Sequence, residues 1–187
     1  MSFIHSSSTS APVLFLTFDD GPSSHTPEIL HLLHRQKARA LFFCTGKQVE
    51  QFPYYYNQIL QEGHLTGNHS YSHLNGWKTF LLSYLQDVKK ASSVIHSPLF
   101  RPPYGKISPL QYLFLRTKYQ LVWWDILVPD YNVKLTGDKC FDLIRKKIRS
   151  HAVIVFHDSE KAYPRNLWCL NKLFSSFPEY TFPLYTK

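Results

Sequence analysis

VLFLTFDDGPSS, Val13 to Ser24, runs six mostly apolar residues directly into two adjacent aspartates and a Gly-Pro corner. An apolar run of that length, closed by Gly-Pro, reads as a buried strand. Two carboxylates at its mouth repel one another and resist desolvation unless a cation or hydrogen-bond donors stand nearby. The stretch therefore makes two demands on the rest of the chain: a sheet to bury the strand, and positive charge to meet Asp19 and Asp20.

The sheet is legible along the whole chain. Short apolar runs recur at 13–18, 40–44, 64–68, 98–101, 120–125, 152–158 and 180–184, separated by segments of helical spacing. Thr26-Pro27 and Ser108-Pro109 each set a hydroxyl before a proline, the pattern of a capped helix start. Ile29, Leu32 and Leu33 make the stripe of a sheet-facing helix, and Gly63 stands where PYYYNQILQE should stop. Residues 77–96 read as the longest helical stretch. About seven strands alternating with helices predict an α/β fold with a parallel sheet, open or closed into a barrel. The unusual polar clusters, namely Asp19-Asp20, His69 with His73, Arg101, Asp125 and His157-Asp158, all fall at or just after the C-terminal end of a run. In both architectures that rim carries the active site.

At 187 residues and 44% hydrophobic content the chain has the size of one domain with a good core. Residues 13–187 are expected to form it, behind a flexible extension at 1–12. The net charge of +8 predicts a surface that attracts anionic glycans, envelope polymers, lipids or nucleic acid. The basic segment 139–149 has helical apolar spacing and reads as a solvated face, and no nucleic-acid-binding motif accompanies it, so no nucleic-acid partner is expected. Cys44, Cys140 and Cys169 form no C-x-x-C pair, which predicts neither a disulfide framework nor a thiolate metal site. MSFIHSSSTSAP lacks a basic n-region, and no run approaches the ~20 apolar residues of a membrane helix. The default expectation is a cytoplasmic protein without a signal peptide, with action at the cell envelope if a leader precedes a misassigned start. Oligomeric state leaves no mark on the sequence.

The positive charge comes from elsewhere. GNHSYSHLN holds His69 and His73 four residues apart, a spacing that sets both imidazoles on one side of a helical turn. One carboxylate plus two imidazoles makes a three-ligand site with a position left for water. A cation there offsets the Asp19–Asp20 repulsion and lowers the pKa of water toward ~7. We assign Asp20 to the metal and Asp19 to the base, although the spacing alone does not choose between them. The donor set suits zinc, with cobalt, nickel or manganese as alternatives. In FRPPYGKIS, two prolines stiffen a turn that presents Arg101, a suitable fixed partner for Asp19, and Gly105 permits an unusual backbone angle. His157 ends the buried run AVIVFHD and is a candidate general acid.

TFDDGP (17–22), HSYSH (69–73), RPPYG (101–105), WWDILVPDY (123–131) and VFH (155–157) stand in the order and approximate spacing of the motifs of the polysaccharide deacetylase, or NodB-homology, family, carbohydrate esterases of family four. The chain resembles that family from about Val13 to its end. The resemblance implies a distorted (β/α) barrel and metal-dependent hydrolysis of N-acetyl groups on the amino sugars of a glycan such as peptidoglycan or a chitin-like polymer, with release of acetate. It implies Asp19 as general base, Asp20, His69 and His73 as the metal triad and Arg101 as the residue that orients the base. Tyr104 would supply a backbone N–H to the oxyanion, and His157 would be the general acid.

Two motifs depart from the family pattern. The fourth usually reads D-x-x-D-W, and here Leu127 and Tyr131 replace its first aspartate and its tryptophan. Asp125, two residues before Leu127 and hence on the same strand face, is expected to support His157, with Asp130 as the competitor. Val155 replaces the usual leucine of the fifth motif. Trp124, Val155 and Asp130 are expected to line the substrate pocket. Two other readings of the chain are a catalytically silent carbohydrate-binding protein on the same scaffold and a deacylase of a small amide.

Overall fold

The computed structural model describes residues 11–185, so most of the expected N-terminal extension lies outside the described residues. Strand β1 (Leu14–Asp20) is the opening run, and its inward residues Leu14, Leu16 and Phe18 are buried. Six more strands come after it: β2 (Ala40–Cys44), β3 (Leu65–Asn68), β4 (Leu99–Phe100), β5 (Gln120–Leu121), β6 (Ile126–Leu127) and β7 (Ala152–His157). All pairings are parallel, in the order β5-β4-β3-β2-β1-β7-β6. Seven helices connect or flank them: α1 (Thr26–Arg35), α2 (Gly46–Gln51), α3 (Pro53–Gln61), α4 (Leu81–Ala91), α5 (Pro109–Leu115), α6 (Gly137–Lys147) and α7 (Arg165–Ser176).

The connection between the two edge strands shows that this sheet is curled. A flat sheet of seven strands would hold its edges roughly 29 Å apart. Yet β5 and β6 are those edges, and only Val122–Asp125 joins them. Leu121 to Ile126 is five peptide steps, a reach of at most about 18 Å. The sheet therefore bends back on itself into the distorted barrel, one domain in which helices α1, α6 and α7 pack on the outside against the principal core.

Two of the expected strand runs differ from the sequence reading while the strand count holds. The run 120–125 is not one strand: it breaks after Leu121 to cross the open side of the barrel, and β6 begins after Asp125. The run 180–184 adds no strand, only a single parallel bridge from Thr181 to Val13. Pro183 removes a ladder donor from this short segment. The 77–96 segment is helical only over Leu81–Ala91, after a single 3₁₀ turn at Gly76–Lys78, and α7 is longer. Ser108 caps α5 through a capping box with Gln111, as the sequence suggests. Thr26 instead lies inside α1 and gives its hydroxyl to Asp158.

Candidate active site

One row of the sheet sets the site. Across the C-terminal rim Asp20 lies beside Cys44, Cys44 beside Asn68, and Asn68 beside Phe100. The residues immediately after that row, His69 and Arg101, are thereby delivered to the same place. On the other side of β1, Asp19 pairs in register with His157.

Asp20, His69 and His73 converge. Asp20 Oδ1 stands 3.1 Å from His73 Nε2 and 3.7 Å from His69 Nε2, and the three ligand atoms all lie within 4.8 Å of one another. Bonds of about 2.0–2.2 Å in a tetrahedral shell require donor separations near these. The tautomer also fits. His69 Nδ1 lies 2.7 Å from the Arg101 carbonyl, an acceptor, so that nitrogen carries the proton and Nε2 faces Asp20 with its lone pair. Burial, partly opposed by Asp19, lowers the His69 pKa to about 4, which keeps the ring a neutral donor. For Asp20, the His73 hydrogen bond and the His157, His69 and His73 charges outweigh the opposing effect of burial and hold the carboxyl well below the usual range. This group fits a divalent cation.

The histidine pair is not on a helix, contrary to the expectation from its spacing. Residues 69–75 form an irregular loop, with Ser70 (φ 62°) and His73 (φ 57°) in the left-handed region. Asn68 Oδ1 accepts from Ser70 N, and Asp87 Oδ2 accepts from Tyr71 N and Ser72 N, so side chains supply what helical bonds would have supplied. Asp20 (φ 79°) and Tyr104 (φ 60°) share that conformation. Four of the six non-glycine residues of positive φ among the described residues thus surround this one spot, where strain of about 1 kcal/mol or more per residue must be held by the surrounding bonds.

Asp19 faces a different partner. Arg101, completely buried, donates from Nη1 to Asp19 Oδ1 at 2.7 Å and to Thr17 Oγ1 at 2.8 Å, and from Nε to the Val122 carbonyl at 3.1 Å. Its guanidinium also lies 4.1 Å from the Phe43 ring centroid. A buried cation with this many acceptors is fixed, and it fixes the carboxylate. In the adjoining turn, Gly105 N and Lys106 N donate to the Pro102 and Pro103 carbonyls, while no hydrogen bond among the described residues uses the Tyr104 N–H. The Tyr104 ring packs edge-on against His73 at 4.5 Å.

His157 is held on three sides. Asp130 takes its Nδ1 at 2.6 Å and its backbone N–H at 2.9 Å, one carboxylate oxygen for each, and Asn166 Nδ2 donates to its carbonyl at 2.9 Å. Burial disfavours the charged ring, but the Asp130 hydrogen bond and charge, with Asp20 and Asp19 adding to them, raise its pKa to about 9. Asp130 itself is fully buried, and desolvation pushes its pKa up against the pull of His157. Tyr131 closes over the imidazole edge-on at 4.8 Å.

A family model described as polysaccharide deacetylase matches residues 6–113, more than half of the 187. The chain belongs to the polysaccharide deacetylase family. A peptidoglycan-N-acetylglucosamine deacetylase of Bacillus cereus is 32% identical over 169 residues, covering 86% of this chain and 79% of the relative. A second protein of that description from the same organism is 36% identical over 125 residues, 63% of this chain, and the match spans only 46% of that relative's length. The crystal structure of the Bc1960 peptidoglycan N-acetylglucosamine deacetylase superposes with a TM-score of 0.83 at 27% identity, over 89% of this chain and 81% of that one.

Within this deacetylase-family chain the geometry corrects the assignment of Asp125. Asp125 does not reach His157. It sits at the start of β6 beside Val153, where Oδ2 accepts from Val153 N and Oδ1 pairs with Arg149. Val153 is four residues before His157, so Asp125 lies roughly 13 Å down the barrel, towards the end opposite the rim. Asp130 comes after the C-terminal end of β6 and reaches the rim. The shared-face argument presumed one continuous strand, and the crossing at Val122–Asp125 breaks that continuity. Val155 has no exposed surface, so it lies beneath the rim, and Asp130 is engaged with His157 instead of facing a pocket. Trp124 stands over Gly105, where an added Cβ would meet its ring at 2.6 Å.

Several supports went unread in the sequence. Thr17 links Arg101 to the Ile154 carbonyl, Asn166 holds His157, and buried Asp158 accepts from Ser23 and Thr26 to lock the Gly21–Thr26 turn. Only Asp158 left a signal, as the second member of a His-Asp pair at a strand end.

Proposed function

We propose that this protein removes the acetyl group from N-acetylated amino-sugar residues of a peptidoglycan-type glycan, hydrolysing the amide to a free amine and acetate. The observation that carries the reading is that two pinned groups, Asp19 on Arg101 and His157 on Asp130, come to the same rim as the Asp20-His69-His73 cluster. Those three residues would hold a divalent cation, zinc by preference for the nitrogen-rich donor set, and such an ion supplies Lewis acidity to the acetyl carbonyl and lowers the pKa of water.

The chain's own groups divide the proton work. Asp19, oriented by Arg101, accepts a proton from the attacking water. The N–H of Tyr104, which no hydrogen bond among the described residues uses, donates to the carbonyl oxygen on which charge develops. His157, protonated through Asp130, gives its proton to the departing nitrogen, which leaves as an amine. The B. cereus relatives named as peptidoglycan-N-acetylglucosamine deacetylases support the choice of substrate class. The test is acetate release from peptidoglycan fragments and chitin oligosaccharides, after chelation and after reconstitution with zinc, cobalt, nickel or manganese. Cation-dependent acetate is expected from at least one glycan. No release under any reconstitution would leave a binding protein on this scaffold, and release only from simple amides would make it a small-molecule deacylase.

A further inference from the structure

Helix α5 is inside out. Its buried residues are Gln111, 1% exposed, and Leu115, whereas Leu110, Leu113 and Phe114 stand 59%, 55% and 53% exposed. A surface helix normally turns its apolar stripe inward. Here the inward glutamine is fully used, its amide nitrogen donating to the Gly76 and Thr79 carbonyls and its oxygen accepting from Ser108 N. The fold thus secures α5 by the Gln111 bonds and by one buried leucine, Leu115, and leaves Leu110, Leu113 and Phe114 facing out.

The neighbouring segment continues the same surface. The Gln111 bonds tie α5 to the 76–79 turn, and Trp77 Nε1 donates to the Ile107 carbonyl just before the helix. Phe80, 89% exposed, comes directly after that turn, and Leu82 and Phe114 line one shallow groove together with Lys89 and Lys118. From Gly76 to Gln120 the only acidic residue is Asp87, and its carboxylate already accepts the Tyr71 and Ser72 amides. The cations are not spent in this way: Lys106 lies against the Trp77 ring and Arg116 against Tyr112, while Lys78, Lys89 and Lys118 are exposed.

We propose that this α4–α5 face seats the protein on an anionic lipid bilayer. The apolar centre of leucine and phenylalanine fits the acyl boundary, the indole and phenol fit the interfacial layer, and the basic surround fits phosphate headgroups. Other occupants fit less well. A glycan stacks on flat aromatic faces flanked by polar groups and gains little from exposed leucines. A symmetric second copy would set lysines against lysines across the apolar centre. Surface seating needs no spanning segment, and no helix among the described residues is long and apolar enough to cross a membrane. The inference is independent of the catalytic reading, since it uses no residue assigned to the site.

The experiment is flotation of the full chain with vesicles of phosphatidylglycerol mixed with phosphatidylcholine, against vesicles of phosphatidylcholine alone. Partition into the anionic vesicles is expected, weakening as salt rises. Phe80→Ser with Leu113→Ser should lower the partition coefficient by about tenfold or more. Lys89→Gln and Lys118→Gln should each lower it about fivefold. These positions are exposed, so the variants are expected to keep the wild-type melting temperature, and acetate release from soluble oligosaccharides reports separately on the active site. Absence of partition at low ionic strength, or equal partition for wild type and the Phe80/Leu113 variant, overturns the proposal. So does self-association in sedimentation velocity that the same substitutions abolish without vesicle binding, because it assigns the face to a second copy.

Discussion

The two flanks of the site solve one problem with opposite charges. On one flank a buried cation, Arg101, fixes a carboxylate at the rim. On the other a buried carboxylate, Asp130, fixes an imidazole at the rim. In each pair the fully buried partner sets the orientation of the one nearer the rim. The flanks differ in how they are built. The Arg101–Asp19 pair joins the ends of β4 and β1, with Thr17 and the Val122 carbonyl as further anchors, whereas the Asp130–His157 pair joins a short edge strand's exit to β7, with Asn166 behind it. A charge pair inside the barrel is anchored by the sheet, and one at its edge depends on a loop.

The largest expected effect removes what lies between the flanks. His73→Ala deletes one of the three proposed ligands and should abolish both bound cation, by elemental analysis, and acetate release; full occupancy in the purified variant would mean the cation sits elsewhere. Asp19→Asn keeps the shape but accepts no proton, so turnover should fall roughly 10²- to 10⁴-fold while the cation stays. Loss of both would make Asp19 a ligand and dissolve the comparison between the flanks.

Asp130→Asn sharpens the comparison on the acid side. With the folded pKa of His157 raised to about 9, the proton needed for leaving-group protonation is present below that value and lost as pH rises through it. Removing the Asp130 charge lowers this pKa, so the alkaline limb of kcat/KM should move to lower pH, with a rate loss of about ten- to a hundredfold. A bound cation pushes the imidazole the same way, so wild type and variant are to be compared at equal loading. An unmoved limb would detach Asp130 from the acid. The smallest effect is that of Asp125→Asn: the pH profile should not move, the rate should stay within about twofold, and melting should reveal a loss below about 1 kcal/mol from the solvent-exposed Arg149 pair.

The same contrast explains what could be read from the sequence. Asp19, Asp20, His69, His73 and Arg101 lie in short segments where charge interrupts an apolar run, and such interruptions are visible without a structure. The parallel sheet was legible in the alternation of runs and helices, since burial on both faces writes continuous apolar strands, whereas its closure into a barrel came only from the family resemblance. Asp130 ranked only as the competitor to Asp125 because its reach to His157 depends on where β6 starts, and QLVWWDIL carries no punctuation between the two strands it contributes. The left-handed loop of His69 and His73 was invisible for a related reason. Its conformation is imposed by Asn68 and Asp87, one residue before it and fourteen after it, and nothing in HSYSH itself excludes a helical turn.

The strand order also fixes a schedule. During synthesis β1 can pair with β2 as soon as that strand–helix–strand unit has emerged, and β3 to β5 can add outward from it. The other edge of β1 stays bare until Ala152–His157 arrives near the end of the chain. A nascent chain ending before Ala152 therefore carries Asp19, Asp20, His69, His73 and Arg101 but not His157, together with an uncovered hydrogen-bonding edge along Leu14–Asp20. Such an edge is a template for pairing with other chains. Strand β7 thus both brings His157 beside Asp19 and covers the bare edge of β1, so protection of the folding chain and completion of the rim arrive in the same step.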